Sequence, residues 1–270
     1  MADGPRRAIL LAAGRGRRLG PRGDERPKCL LCFGDRSLLD RHLDALGGLG
    51  LEEVVVVTGY RHQEVAGPLL ARSPDVHRKL HNRIWDRGSL VSLASAGSAL
   101  RAGGDVLLMD ADVLYDAALL ERLCRTPGTG LLVDRGCDVN DPEPVKVCAR
   151  EGKLLDLSKV PSPALLASCV GESVGFFRLV EGVALQLADE AERRVQEGRL
   201  DEPYEDALRD VLVGRADRCT LHDITGMPWI EIDYPEDVER ADREILPRIS
   251  PERADVPGVH DRQPFQGMGT

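Results

Sequence analysis

Residues 8–19, Ala8-Ile-Leu-Leu-Ala-Ala-Gly-Arg-Gly-Arg-Arg-Leu19, followed closely by Arg26-Pro27-Lys28, set a glycine turn and several cations directly after a short apolar run. The run Ala8 to Ala12 has the length of a strand and leads into glycine, which predicts a buried strand rather than a helix. Gly14 and Gly16 allow the backbone to bend tightly and to bring its N–H groups up to a phosphate or a base with no Cβ in the way. Leu11, Ala12, Ala13, Gly14, Arg15 and Gly16 are therefore candidate nucleotide contacts. Arg15, Arg17, Arg18 and Lys28 add the charge that a triphosphate requires, arginine as a planar fork and lysine as a compact point charge.

Two other glycine signatures fit less well. A phosphate loop of the ATPase type needs Gly-x-x-x-x-Gly-Lys followed by Ser or Thr, and Lys28 has neither the upstream glycine nor the hydroxyl neighbour. The dinucleotide fingerprint Gly-x-Gly-x-x-Gly fails by one residue, because Gly20 arrives late and arginines crowd the turn.

Working outward, strand-like runs alternate with amphipathic segments through the first half of the chain. Strands are predicted at Ala8–Ala12, Glu53–Thr58, Val76–His81 and Val106–Met109. Helices are predicted at Leu38–Leu46, Gln63–Leu70, Leu90–Leu100 and Asp116–Arg125. This rhythm predicts an α/β fold: a single doubly wound, Rossmann-like sheet, mixed but mostly parallel, with helices on both faces. From Gly130 to Phe177 the strands become shorter (Gly130–Val133, Val145–Ala149, Leu154–Leu157, Ser173–Phe177), which predicts a small antiparallel addition suited to gripping a second substrate. Helices Val180–Glu197 and Tyr204–Val213 and a strand Trp229–Ile232 close the domain, which is placed at residues 1–249. Within it, residues 8–125 form the nucleotide half, 130–215 the acceptor part and 229–233 a metal-binding strand. Ser250 to Thr270 lacks periodicity and is expected to be disordered.

Composition narrows the function classes. The chain has 270 residues, 42% of them apolar, enough for a sizeable core. A net charge of −9 argues against general nucleic-acid binding, so the local cations mark a site. There is no apolar stretch of membrane-spanning length and no signal-peptide core, which predicts a cytoplasmic protein without a membrane partner; a homodimer is left open. The seven cysteines are an odd, scattered set and read as reduced core thiols. Cys29 and Cys32 form one Cys-x-x-Cys, without the second pair a zinc site needs or the strand–helix context of a redox site.

The acids are placed as a metal site would require. Val106-Leu-Leu-Met-Asp-Ala-Asp112 is an apolar strand ending in two carboxylates, and ligands of open α/β sheets bind beyond the carboxyl ends of strands. Alternation of side chains along a continuous strand would put Asp110 and Asp112 on one side. Trp229-Ile-Glu-Ile-Asp233 repeats the design. Mg²⁺ takes one or two protein carboxylates and fills its remaining positions with water and phosphate oxygens, a role that suits Asp112 and Asp233. Helix capping is the competing account of Asp233, and Glu231, on the same face, is a weaker candidate. His81-Asn-Arg-Ile-Trp-Asp-Arg-Gly-Ser89 runs from a strand end into a helix; Asn82 could read a base edge, while Gly88 and Ser89 sit where N–H groups favour anions.

The segment Leu-x-x-Gly-x-Gly-x-Arg-Leu followed by Pro-Lys, carried here by Leu11, Gly14, Gly16, Arg18, Leu19, Pro27 and Lys28, resembles the nucleotidyltransferase superfamily that activates sugar phosphates, phosphocholine and phosphonates. Asp141-Pro-Glu-Pro-Val-Lys146, Gly152 to Lys159, Gly171-Glu172 with Gly175, Tyr204-Glu-Asp206 and Pro228 to Asp233 are similar to its phosphocholine and phosphonate cytidylyltransferases, in matching order from about Ala8 to Ile245. The resemblance implies CTP as donor, Asp112 and Asp233 as holders of Mg²⁺, and Asp110 beside the nucleotide. It further implies Arg18 and Lys28 as the catalytic cations, and Lys146, Lys159, Glu172 and Asp206 around a small phosphonate or phosphate acceptor. A quaternary ammonium head usually needs an aromatic cage, for which Tyr60, Trp85 and Tyr204 are the candidates in an aromatic-poor chain. The alternatives are phosphocholine as acceptor, a sugar-1-phosphate nucleotidyltransferase using UTP or GTP, and a non-catalytic nucleotide-binding regulator.

Overall fold

A computed structural model of the protein describes residues 4–72, 76–213 and 219–250. Of the tail expected over 250–270, residues 251–270 lie outside the described residues, while Ser250 is described and donates its N–H to Asp116 Oδ2 at 2.8 Å. The strands are β1 (Arg7–Ala12), β2 (Cys32–Phe33), β3 (Arg36–Ser37), β4 (Glu53–Thr58), β5 (His77–His81), β6 (Val106–Asp110), β7 (Val113–Tyr115), β8 (Gly130–Asp134), β9 (Lys146–Arg150), β10 (Lys153–Ser158), β11 (Cys169–Leu179), β12 (Thr220–Asp223) and β13 (Trp229–Glu231). The helices are α1 (Pro21–Glu25), α2 (Leu38–Gly47), α3 (His62–Arg72), α4 (Ser89–Ser95), α5 (Gly97–Leu100), α6 (Ala118–Arg125), α7 (Glu181–Gln196), α8 (Tyr204–Leu212) and α9 (Pro235–Arg240).

Nine of the strands make one mixed sheet in the order β10-β9-β11-β6-β1-β4-β5, with β8 paired to β11 and β12 to β8. β6, β1, β4 and β5 run parallel, so Leu11 sits beside Asp110 and Val57, and their carboxyl ends share one edge. β11 joins this half antiparallel to β6 through Phe176–Leu179, and its first residues pair with β9 instead. That long strand couples the parallel half to the antiparallel addition.

Alternation along β1 explains why both faces carry helices. Ile9 points into a cluster with Leu90, Leu93, Ala99, Val183, Leu187 and Leu208, contributed by α4, α5, α7 and α8. Ala8, Leu10 and Ala12 point the other way, onto Leu39, Leu43, Val65, Leu69 and Leu120 of α2, α3 and α6. A strand covered on both faces must be apolar at every position, which is what the opening run shows. α2 is held at its start by a capping box, Asp40 N–H donating to Ser37 Oγ at 3.1 Å and Ser37 N–H to Asp40 Oδ2 at 3.2 Å. The helix predicted as one unit over Leu90–Leu100 is broken at Ala96 into α4 and α5.

A third cluster lies beside the carboxyl edge of the sheet: Leu19, Leu31, Phe33, Leu38, Leu114, Ile230, Ile232, Val238 and Ala241. Its frame is the two-stranded sheet of β7 and β13, in which Ile230 pairs with Leu114 and Glu231 with Val113. This small core brings the glycine turn, the end of β6 and the late acids together. Among the described residues no helix is long and apolar enough to cross a membrane.

Candidate active site

The turn after β1 is shaped by two glycines. Gly16 adopts φ +71°, a left-handed conformation that favours glycine. Gly23, in α1, lies so close beneath it that a Cβ there would come within 2.2 Å of the Gly16 carbonyl oxygen and 3.0 Å of that of Arg15. Nothing stands within 4 Å of where a Cβ of Gly14 would be, so that position faces open space. Ala12 and Ala13 are buried, and the Ala13 carbonyl accepts from the Tyr60 N–H at 3.0 Å. Arg15 reaches back to Asp24 at 2.7 Å, and the Tyr60 ring lies against it.

Lys28 is the centre of the site. Its side chain is only 10% exposed and its Nζ contacts Asp112 Oδ2 at 2.6 Å and Asp233 Oδ1 at 2.5 Å. Burial opposes its charge, but Asp112, Asp233 and Glu231 outweigh that penalty and raise its pKa. Arg18 donates to Asp233 Oδ2 at 2.6 Å, to Glu143 at 2.5 Å and to the Tyr234 hydroxyl at 3.1 Å. Asp112, Glu231 and Asp233 each present an oxygen within 4.8 Å of the others. Glu231 sits at the rim of this group; the protein around it, with Asp112 and Asp233, pushes its carboxyl up to about 8.

The local chain explains why these acids converge. β6 ends at Asp110, and Ala111 and Asp112 form the following turn, with the Ala111 N–H donating to Leu11 O at 3.3 Å. The two acids therefore do not share a strand face by alternation: Asp112 meets Lys28, while Asp110 Oδ2 accepts from the Tyr204 hydroxyl at 2.8 Å. Burial, then Asp112, Glu205 and Glu231, hold the Asp110 carboxyl well above the usual range. Asp233 is not the helix cap. Tyr234 holds the N-cap position of α9, and Asp237, three residues on, accepts at Oδ2 from the N–H groups of Asp233 at 3.0 Å and Tyr234 at 2.7 Å, which leaves both Asp233 oxygens for Lys28 and Arg18.

Other sequence candidates serve different ends. Asn82 is 1% exposed; its amide donates to Ser92 Oγ at 3.0 Å and accepts from Ile84 N–H at 3.0 Å, so it braces the loop into α4 and presents no edge to a base. Ser89 Oγ accepts from Tyr204 N–H, and Gly88 packs where a Cβ would meet Glu202 O at 2.3 Å, tying α4 to the start of α8. Lys146 is 2% exposed and donates to the carbonyls of Asp141, Pro144 and Lys159, so its ammonium anchors two loops instead of facing a ligand. Lys159 is exposed, with Glu143 at 3.9 Å. Glu172 pairs across the sheet with Lys146 and Asp134, and burial with Asp134 and Asp141 pushes it up to about 7. Asp206 is paired to Arg209 at 2.8 Å. Tyr204 is 2% exposed, and Tyr60 and Trp85 lie against each other with centroids 5.2 Å apart and planes tilted by 60°, so the three aromatic candidates form no open cage.

Glu143, Glu205 and Tyr234 went unnoticed in the sequence. Glu143 links Arg18 of the glycine turn to Lys159 of the acceptor part, a junction between distant segments. Glu205 has an enclosed Oε2 with no hydrogen-bond partner, and burial pushes its carboxyl up to about 7. The Tyr-Pro-Glu-Asp run did carry one signal, since Pro235 at the first helical position marks where Tyr234 enters α9.

A doubly wound sheet with a glycine turn after its first strand, and a lysine held between acids at its carboxyl edge, defines a nucleotide-handling α/β protein. The chain belongs to the MobA-like NTP transferase domain family, whose model matches residues 8–155. It is 30% identical to a bifunctional IPC transferase and DIPP synthase of Aquifex aeolicus, over 88% of this chain and 51% of that protein. It is 29% identical to a CMP-5'-(3-aminopropyl)phosphonate synthase of Streptomyces rubellomurinus, over 90% of this chain and 39% of that protein. The chain thus spans about half of the length of the first of these relatives and about two fifths of the second. The inositol-1-phosphate CTP transferase from T. maritima shares the fold, with a TM-score of 0.71, 20% identity, and coverage of 88% of this chain and 93% of that one.

Proposed function

We propose that this protein is a cytidylyltransferase that moves CMP from CTP to an oxygen of a small phosphonate or phosphate acceptor, releasing pyrophosphate. The observation that carries this reading is Lys28 bridging Asp112 and Asp233 next to the glycine turn. The names of the two relatives, a bifunctional IPC transferase and DIPP synthase and a CMP-5'-(3-aminopropyl)phosphonate synthase, support it.

The acids fit a divalent cation: three carboxylates with mutually close oxygens, arranged on a rigid sheet edge. Asp112 and Asp233 would hold Mg²⁺, with Glu231 beside them; when bound, Mg²⁺ neutralises phosphate charge and draws donor and acceptor oxygens together. The protein's own groups do the rest. Gly14 leaves room for phosphates against backbone N–H groups, and Gly16 supplies the left-handed bend of the turn, packed against Leu19 and Lys28. Arg18 and Lys28 offset the charge that builds on the α-phosphorus and on departing pyrophosphate as the acceptor oxygen attacks in line. Exposed Lys159 lies where an acceptor anion could meet it, and Asp110, fixed by Tyr204, borders the nucleotide.

The test is pyrophosphate release with CTP, UTP and GTP, each with a phosphonate acceptor and Mg²⁺, for the wild type and for Asp112→Ala. The reading expects turnover with CTP and a loss on the order of a hundredfold or more in the variant. Preference for UTP or GTP with a sugar phosphate would transfer the protein to the sugar-nucleotide class, and nucleotide binding without pyrophosphate would make it a regulator.

A further inference from the structure

The cysteine pair noticed in the sequence is not a working dithiol. Cys29 is buried and Cys32 is exposed, with its Sγ directed to Leu30 O. A different pair, 21 residues apart, is brought together by the sheet. Cys148 in β9 lies directly opposite Cys169 at the start of β11, and their sulphurs are 2.6 Å apart. Residues facing each other on antiparallel strands have Cα atoms about 4.5–5.5 Å apart, inside the span that a disulfide bridges without moving the backbone.

We propose that Cys148 and Cys169 form a reversible disulfide by exchange with a low-molecular-weight disulfide, a modification site that clamps the antiparallel part of the sheet. Cys169, partly exposed, is the sulphur that an external disulfide meets; Cys148 is enclosed. In the first step the Cys169 sulphur attacks the reagent, the reagent's S–S bond breaks, and one small thiol leaves with the proton that Cys169 gave up. In the second, the Cys148 sulphur attacks Cys169, the mixed disulfide breaks, and the second small thiol leaves with the Cys148 proton. Two protein thiols and one small disulfide thus become one protein disulfide and two small thiols. The partial exposure of Cys169 against the enclosure of Cys148 orders the steps: Cys169 first, Cys148 as the resolving group.

The bond would close a ring around β10 and the connection that carries Lys159. That ring is already pinned at one point by Lys146, whose Nζ donates to Lys159 O at 3.0 Å. Closure adds a covalent tie two residues further along β9, between β9 and the start of β11, so motion of residues 153–168 is the property it changes.

The native wild-type protein is held in glutathione buffers stepped from reduced to oxidised, quenched in acid, alkylated and examined by intact mass and peptide mapping. The proposal expects two of the seven cysteines to lose alkylation together, a peptide link joining Cys148 to Cys169, reversal by dithiothreitol, and slower amide exchange over 153–168 in the oxidised form. Cys148→Ser should stop at a glutathione adduct on Cys169. Full alkylation under the oxidised buffer, a link between other cysteines, or a Cys169 adduct that never closes in the wild type would overturn it.

Discussion

Replacing Lys28 by methionine keeps the stem and removes the cation from between Asp112 and Asp233. The structure sets the scale of the result. Both contacts are 2.6 Å or shorter, and side-chain exposure is 10% for Lys28, 23% for Asp112 and 18% for Asp233. Breaking a fully buried pair costs about 3–5 kcal/mol, and the residual exposure of the acids lowers this to about 2–3 kcal/mol. In a domain of this size that corresponds to a fall in Tm of about 5–10 °C. A divalent cation would supply the missing charge among Asp112, Glu231 and Asp233, so Mg²⁺ should raise the Tm of Lys28→Met much more than that of the wild type. Turnover, which needs the lysine at the phosphates, should remain down on the order of a hundredfold at saturating Mg²⁺. Differential scanning fluorimetry across a Mg²⁺ series, read beside pyrophosphate release, separates the two effects. Equal metal response in both proteins, or kcat/KM within threefold of wild type, would refute the placement of Lys28 between a metal site and the phosphates.

Three further outcomes follow from the geometry. Gly23→Ala would drive a Cβ to 2.2 Å from the Gly16 carbonyl and displace the turn; the nucleotide KM should rise about tenfold to a hundredfold, whereas an unchanged KM would show that the turn does not hold the nucleotide. Tyr204→Phe removes the donor to Asp110 at 2.8 Å and should cost about 1–3 kcal/mol in urea unfolding with m unchanged; an unaltered midpoint would mean that the bond is idle. His42 is enclosed against Tyr115, and burial lowers its pKa to about 3 from the usual 6.5. The unfolded chain then binds the extra proton between those values, so the His42 contribution to stability is complete above about pH 6.5 and is lost as pH falls toward 3. His42→Gln should flatten that part of the pH–stability curve, and an unchanged acid limb would assign it to other groups.

The first half of the fold was legible because its strands are covered on both faces and its helices alternate with them: β1, β4 and β6 read as plain apolar runs. The antiparallel part was less so. β11 has eleven residues, yet only Ser173–Phe177 stood out, because Gly171 and the polar Glu172 interrupt its pattern and its register shifts twice along the neighbours. β12 was missed, and so was the β7–β13 pairing: strands of three or four residues have too few positions to display a period. In the site, Asp112, Asp233, Lys28 and Arg18 were visible from motif and strand end, and the structure brings them into direct contact. Lys146 and Asn82 read as ligand-facing because polarity shows which residues are special and not where their hydrogen bonds go. Glu143 could not be seen as a partner of Arg18, since their meeting depends on a loop brought across the sheet from 125 residues away.

The central claim is tested most directly by phosphorus NMR of the protein with CTP, Mg²⁺ and, in turn, phosphonates, phosphocholine, phosphoethanolamine and sugar-1-phosphates. The account predicts new coupled signals of a CMP conjugate together with pyrophosphate when a small phosphonate or phosphate is present. Turnover confined to sugar-1-phosphates, or no conjugate with any acceptor, would contradict it.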